Sequence, residues 1–432
     1  MKKGLRVGLC GVGTVGLATV QILRDQSAML AARCGQTVSI AHVGARREVP
    51  HQDYAGARVS RDVMDVARDP DIDVLVELIG GTTVARDLIK LAIQEGKHVV
   101  TANKALIAEH GNELILLAEQ AGVQLRFEAA VAGGIPVIKT LREAMAANDV
   151  SEVAGIINGT GNFILTEMST KGRSYEDVLA EAQALGYAEA DPTFDVDGTD
   201  AAHKLVILAS LAFGMPLDAE APVKQGIQAI TPEDLEIAAS MGYRVKHLGI
   251  ARRQGDRIEM RVHPTLIPEG KQLANVDGVL NAIMIKGDAV GELVLVGPGA
   301  GGAATASAVC ADLADIARTA SGSGPALGVP MAQLTSQALM PADDIESEWY
   351  VRLAASDCAG VMSDITHVLA NHDVSIESLL QNPPRDDQAT VSIVLLTHVA
   401  SASVMTAVMQ EITALTEVQT DFTLLRVEAF DQ

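Results

Sequence analysis

Short apolar runs separated by stretches with helical spacing mark the first 130 residues. The runs fall at Leu5–Cys10, Val38–Val43, Val74–Ile79, Val99–Thr101 and Val123–Phe127. Nearly continuous apolar runs of this length suit strands buried on both faces, and the patterns between them, such as Val84–Gln94 and Glu113–Gln120, suit the covering helices. Strand and helix alternating in this way predict a βαβ series and a doubly wound parallel sheet. From about residue 131 the texture changes. Helical spacing runs over Pro136–Ala147 and Tyr175–Ala184, then through the strongly apolar Asp200–Phe213. Strand-like segments lie at Val153–Ile157, Arg257–Val262, Ala282–Gly287 and Glu292–Val296, which predicts an α+β domain. A glycine-rich turn at Gly297–Gly302 opens a further helix reaching about Thr319, and Thr319–Asp344, with its SGSGP and MPADD, reads as a linker. The tail from Glu348 to Gln432 gives strand, helix, strand, strand, helix, strand, a ferredoxin-like βαββαβ module.

A chain of 432 residues is too long for one small core and suggests two or three domains. The formal net charge is −22 with no basic patch, which argues against nucleic acid and against an anionic membrane surface as partners. The four cysteines, Cys10, Cys34, Cys310 and Cys358, are scattered without metal-ligand spacing and read as reduced thiols. The N-terminal apolar stretch is broken by glycines, so it is not read as a signal peptide, and the longest apolar run, Leu205–Met215, is roughly half a membrane span. The expectation is a soluble cytoplasmic protein.

Three places carry candidate chemistry. Gly11-Val12-Gly13-Thr14-Val15-Gly16 follows a strand and opens a helix, the setting in which glycines permit a tight turn and bring backbone amides to a dinucleotide pyrophosphate. It marks the first domain as Rossmann-type. The second strand ends near Arg46 and Arg47, where an NAD site usually places an acid. Arginines there suit the 2′-phosphate of NADP, and the alternative is that both are solvated loop residues. Lys104, in Val100-Thr101-Ala102-Asn103-Lys104, stands where a strand ends, at the edge of the sheet that faces a ligand; as an isolated lysine it would more often be a surface residue. Asn158, Gly159 and Thr160 begin a polar, glycine-rich turn that either presents amides to a ligand or is merely a tight turn.

The densest chemistry lies in Gly186–Lys204, where Glu189, Asp191, Asp195, Asp197 and Asp200 crowd a dozen positions before Lys204. Asp200 and Lys204 are four apart, so on a helix they share a face one turn apart. A carboxylate held against an ammonium, with acids upstream, suits binding of a charged amino acid and transfer of a proton. The Asp195–Thr199 stretch superficially matches a phosphohydrolase nucleophile motif and a calcium loop. It lacks the preceding buried strand for the first and the sixth-position glycine for the second.

Together these segments resemble the homoserine dehydrogenases, the monofunctional type with a C-terminal ACT domain. The resemblance covers essentially the whole chain. It rests on GVGTVG, VELIGG (Val76–Gly81), GKHVVTANKALIA (Gly96–Ala108), GIINGTGNFIL (Gly155–Leu165), Glu181–Lys204 and GPGAGGAATASAV (Gly297–Val309). It implies four parts: a nucleotide domain over 1–130 with a returning helix at about 303–320, a catalytic and dimerisation domain over 131–302, a linker over 321–347 and an ACT module over 348–432. It also implies roles. The turn Gly11–Gly16 would hold NADP or NAD, with Gly301 in a second turn closing over the cofactor. Lys104 and Lys204 would flank the reacting carbonyl, with Lys204 as proton donor and acceptor and Asp200 orienting it. Glu189 and Asp195 would bind the substrate amino group, beside Asn158, Gly159 and Thr160. Glu128, with the backbones of Val131, Gly133 and Ile135, matches a monovalent cation site for Na+ or K+. His247 and Val296 depart from the usual family residues.

The implied reaction is reversible hydride transfer between a nicotinamide and aspartate 4-semialdehyde, giving homoserine, with lysine supplying the proton. The ACT module implies an amino-acid effector, threonine being the family's usual one, in a homodimer or homotetramer. Removing the chain beyond about residue 345 is expected to abolish sensitivity and spare catalysis. Two other classes stay open on sequence grounds: an oxidoreductase for a different amino-acid semialdehyde, and a non-catalytic nucleotide and amino-acid sensor.

Overall fold

A computed structural model of the chain describes residues 4–47, 53–54, 56–319, 324–381 and 390–430. Its first sheet grows from the apolar runs. Strands β1 (Leu5–Cys10), β2 (Val38–Gly44), β3 (Arg58–Ser60), β4 (Val74–Glu77), β5 (His98–Thr101) and β6 (Leu125–Arg126) are all parallel, in the order β3-β2-β1-β4-β5-β6. Helices α1 (Thr14–Asp25), α2 (Ser27–Cys34), α3 (Val63–Arg68), α4 (Thr83–Gln94) and α5 (Lys104–Ala121) connect the strands. Covering both faces explains why β4 is buried at all four positions. The chain first winds outward to β3 and then returns to β4 beside β1. That reversal opens a crevice at the carboxyl edge between β1 and β4. The short β3 was not foreseen; three residues carry too little pattern to read.

The second domain is a sheet of antiparallel neighbours. After α6 (Val137–Lys139) come β7 (Val150–Ile156), α7 (Gly159–Lys171), α8 (Tyr175–Ala184), α9 (Thr193–Val196), α10 (Thr199–Phe213), β8 (Val223–Lys224) and α11 (Pro232–Ser240). Then follow β9 (Tyr243–Gln254), β10 (Arg257–Pro268), β11 (Leu280–Gly287) and β12 (Gly291–Pro298), in the order β12-β11-β7-β9-β10. Helix α10 is apolar almost all round because it lies inside, packed on β7 and β9 with Leu205, Ile207 and Ala209 fully buried. The helix expected over Pro136–Ala147 is only the three residues of α6 followed by a π-type turn at Thr140–Ala144. Helix α12 (Gly302–Arg318) crosses back to the nucleotide sheet, where Val309 and Leu313 join a core with Val7, Val20 and Leu23.

The segment read as a linker adds a short strand, β13 (Ala338–Leu339), beside β10; its residues 320–323 lie outside the described residues. The tail then forms β14 (Glu346–Ser356), α13 (Val361–Asn371), β15 (Ile376–Gln381), β16 (Thr390–Ser401), α14 (Ala402–Thr413) and β17 (Val418–Val427). The order β17-β14-β16-β15 is that of the expected βαββαβ module. It is not a loosely tethered bead. Strand β17 pairs in parallel with β10, so one sheet of 11 strands runs through both domains. Just beyond β17, Glu428 accepts hydrogen bonds from Arg261 and from Arg252 Nη2, the latter at 2.8 Å, and Arg261 is 1% exposed. Asp234 of α11 adds a second tie, accepting from Arg352 Nε of β14 at 2.5 Å and from Thr423 of β17 at 3.2 Å.

Candidate active site

The dinucleotide turn is built by backbone crowding. Gly11 has φ +102°, and a Cβ there would stand 2.4 Å from the Leu78 carbonyl oxygen; a Cβ at Gly16 would stand 2.0 Å from that of Gly11. Nothing lies within 4 Å of a Cβ placed on Gly13, which caps the 12-residue α1 without a side-chain hydrogen bond, leaving room beside the helix N-terminus. Val12 and Val15 pack on the core beneath, while Thr14 is exposed. A Cβ on Gly302 would meet Thr14 Cγ2 at 2.9 Å, so the turn with Gly301 (φ +113°) lies against the start of α1. Arg46 and Arg47 are exposed just past β2.

At the other half of the crevice, Asn103 caps α5, accepting from Leu106 N–H at 3.2 Å, and Lys104 is the first helical residue. Lys104 reaches across to the second domain, where Nζ lies 3.0 Å from Asp200 Oδ1. Asp200 Oδ2 accepts from Lys204 Nζ at 2.6 Å and from Asn158 Nδ2 at 2.8 Å. Lys204 Nζ also donates to the Ile157 carbonyl at 2.6 Å, at the end of β7. Burial opposes the charge on Asp200, but Lys204 and then Lys104 outweigh it and hold the carboxyl well below its usual range. Asn158 bridges to Asp195 Oδ1 at 2.9 Å, and burial pushes Asp195 up against that bond.

Asn158–Asn162 is therefore more than a tight turn. Asn158 Oδ1 accepts from Gly161 N–H at 2.6 Å as the N-cap of α7, and Thr160 donates to the Tyr187 carbonyl at 2.8 Å. An asparagine after a strand and before apolar residues is an N-cap signal that would have revealed the helix. Asp191 and Asp197 fold back on the acid loop, accepting from Thr193 and Thr199. Glu189 stands apart: it is exposed, and among the described residues only its carbonyl is engaged, by Gln183 Nε2 at 3.1 Å. Two aromatic residues that carry no sequence motif, Phe194 and His203, stand beside this cluster. Lys104 Nζ sits 5.5 Å from the Phe194 ring centroid, and the Phe194 ring meets His203 edge-on at 5.5 Å. His247 lies beneath, with Nε2 against the Gln225 carbonyl at 3.0 Å and its pKa brought down to about 4 by burial, so the imidazole is neutral.

Glu128 lies away from these groups, at the junction of the two domains. Its two oxygens accept from Ile138 N–H at 3.0 Å and Lys139 N–H at 2.9 Å, and its own N–H donates to Asp312 of α12 at 2.8 Å. Burial, reinforced by Asp312, pushes its carboxyl up to about 8. Val131, Gly133 and Ile135 are all buried in the adjoining turn. Among the described residues no group of three or more His, Cys, Asp or Glu side chains forms a metal cluster, and no helix is long and apolar enough to cross a membrane.

Family models match in three segments: "Homoserine dehydrogenase, NAD binding domain" over 11–128, "Homoserine dehydrogenase" over 136–314 and "ACT domain" over 350–417. The homoserine dehydrogenase of Pseudomonas aeruginosa is 50% identical over 400 residues, 92% of each chain, and that of Neisseria gonorrhoeae is 46% identical over 99% of each. Among solved structures, a homoserine dehydrogenase from Thiobacillus denitrificans superposes with a TM-score of 0.94 at 46% identity, covering 99% of both chains. A hyperthermophilic archaeal homoserine dehydrogenase in complex with NADPH gives 0.62 at 27% identity over 72% of this chain and 97% of that one.

Proposed function

The chain belongs to the homoserine dehydrogenase family and is an NAD(P)-dependent oxidoreductase; from that premise we propose how its residues divide the work. The observation that carries the proposal is Asp200 joining Lys204 of one domain to Lys104 of the other. A substrate reduced between the domains meets both ammonium groups. Lys204, oriented by Asp200 and the Ile157 carbonyl, gives its proton to the aldehyde oxygen of aspartate 4-semialdehyde and takes it back in the reverse direction. Lys104 stabilises the developing alkoxide. Asp195, kept in place by Asn158, and Glu189 bind the substrate amino group, with Glu189 moving inward from its exposed position. Gly159 and Thr160 line the same pocket. The nicotinamide, when bound, supplies or accepts the hydride.

NADP is the preferred cofactor in this reading. Arg46 and Arg47 supply the charge for a 2′-phosphate, and the archaeal relative solved with NADPH supports it. The carboxylate of Glu128 and the carbonyls of Val131, Gly133 and Ile135 form an all-oxygen donor set, the chemistry a hard ion such as Na+ or K+ takes. A cation there would neutralise a carboxylate that burial otherwise keeps protonated. The ACT module binds an amino-acid effector, threonine, which inhibits a cytoplasmic homodimer or homotetramer. The test is steady-state turnover with aspartate 4-semialdehyde and a panel of other semialdehydes, each with NADPH and NADH. Aspartate 4-semialdehyde with NADPH should give the highest kcat/KM. Equal or faster turnover of another semialdehyde would contradict the substrate, and faster turnover with NADH would contradict the cofactor preference.

A further inference from the structure

Glu77 ends β4 at the edge of the crevice and is completely buried. Its Oε1 accepts the backbone N–H of Ile79 at 2.8 Å and of Gly80 at 3.0 Å, and its Oε2 accepts the hydroxyl of Thr101 at 2.6 Å. Thr101 Oγ1 in turn accepts Asn103 N–H at 3.0 Å, and Asn103 Nδ2 donates to the Gly81 carbonyl at 2.7 Å. One carboxylate thus ties the turn after β4 to the turn after β5, whose next residue is Lys104. All three bonds to Glu77 are accepted, the pattern of an ionised carboxylate, and among the described residues its partners are two amides and a hydroxyl with no cation.

The position gives that charge a target. In a sheet of order β3-β2-β1-β4-β5-β6 the first three strands take the adenosine half of a dinucleotide, and the carboxyl ends of β4 and its neighbours take the other half. We propose that Glu77 is a positioning residue that sets Lys104 against Asp200 through Thr101 and Asn103, and that its charge favours the cationic, oxidised nicotinamide over the neutral reduced ring. The inference rests on a nicotinamide cofactor occupying this crevice. As the aldehyde carbon accepts the hydride and its oxygen takes a proton from Lys204, the ring that loses the hydride gains one positive charge. A fixed negative charge at the crevice edge stabilises that change without reorganising.

Two variants separate the roles. In Glu77→Gln the amide oxygen still accepts from Ile79 and Gly80 and the amide group donates to Thr101, so the shape survives and the charge is lost. In Thr101→Val the charge survives and the link to Asn103 is cut. Dissociation constants for NADP+ and NADPH, and in parallel NAD+ and NADH, are measured by fluorescence titration, with thermal melting as a check on folding. Glu77→Gln should raise the ratio of oxidised to reduced dissociation constants by roughly three- to ten-fold, the scale of one charge acting at moderate range in a protein interior. Thr101→Val should leave the ratio within about two-fold and lower kcat by roughly ten-fold or more at unchanged cofactor affinity, with Thr101→Ser restoring it. A Glu77→Gln protein that binds cofactor with the wild-type ratio would overturn the electrostatic role, and wild-type kcat in Thr101→Val would overturn the positioning role. A wild-type protein that binds neither cofactor pair would overturn the cofactor reading as well.

Discussion

Replacing Asp200 with asparagine removes the one carboxylate between two ammonium groups. Lys204 Nζ lies 2.6 Å from one oxygen and Lys104 Nζ 3.0 Å from the other. At an effective dielectric of about 20, each pair at ~3 Å is worth roughly 5 kcal/mol of Coulomb attraction. Burying the carboxylate takes several kcal/mol back, so removing it leaves a net loss of about 3–5 kcal/mol. Asparagine also has a single acceptor oxygen and turns an NH2 group toward one of the lysines. Turnover should fall about 100-fold, because the proton donor loses the charged partner that orients it while the Ile157 carbonyl stays. The pH dependence carries a sign. Asp200 is held below its unfolded value near ~3.9, so its stabilisation is complete above that pH and is lost as pH falls through the folded value. Urea unfolding at pH 7.5 should therefore show the full gap between wild type and Asp200→Asn, and the gap should close only in strong acid. Equal unfolding midpoints at pH 7.5, or turnover within three-fold of wild type, would refute the reasoning.

Other expectations follow from the same geometry. Gly13→Ala should melt like wild type yet bind dinucleotide at least about ten-fold more weakly, because its Cβ meets nothing in the fold and would meet the phosphates; Gly16→Ala, whose Cβ would stand 2.0 Å from the Gly11 carbonyl, should lose stability as well. Calorimetry and fluorescence titration separate the two. Glu128 has a folded pKa raised to about 8, so the native state holds a proton that the unfolded chain releases near ~4.5. Stability should decline as pH rises through that window in choline buffer, recover with added Na+ or K+, and stay flat in Glu128→Gln; identical profiles in all three would remove the cation. Truncation after residue 345 should not be the clean loss of regulation that the sequence suggests. It uncovers the β10 edge and strips Glu428 from the buried Arg261, so the shortened chain should aggregate or melt well below wild type. A soluble, fully active truncated enzyme in sedimentation and turnover assays would disprove the coupling of the two sheets.

Much of the fold was legible because its signals are local. Buried parallel strands such as β4 are apolar over Val74–Val76, and Gly11–Gly16 sits where a strand must turn into a helix. The four-residue spacing of Asp200 and Lys204 was enough to predict their contact. What escaped depends on residues distant in sequence. The turn at Asn158 could be read either as presenting amides to a ligand or as a plain tight turn, since its bonds to Asp195 and Asp200 span 37 and 42 positions. Lys104 was placed at the ligand-facing sheet edge by its position after β5, but its pairing with Asp200 of the other domain has no local signal. Glu77 was passed over within VELIGG because an acid ending an apolar strand has no local pattern that distinguishes it. The docking of the ACT sheet on β10 is equally long-range, two residues of parallel pairing that no periodicity announces.

The central claim is that Lys204 moves the proton. It is tested most directly by NADPH oxidation with aspartate 4-semialdehyde in the wild-type and Lys204→Ala proteins, alongside NADPH titrations of both. The account predicts a loss of about 10²–10⁴-fold in turnover, the usual worth of general acid catalysis, with cofactor affinity unchanged. Turnover within a few-fold of wild type would contradict it.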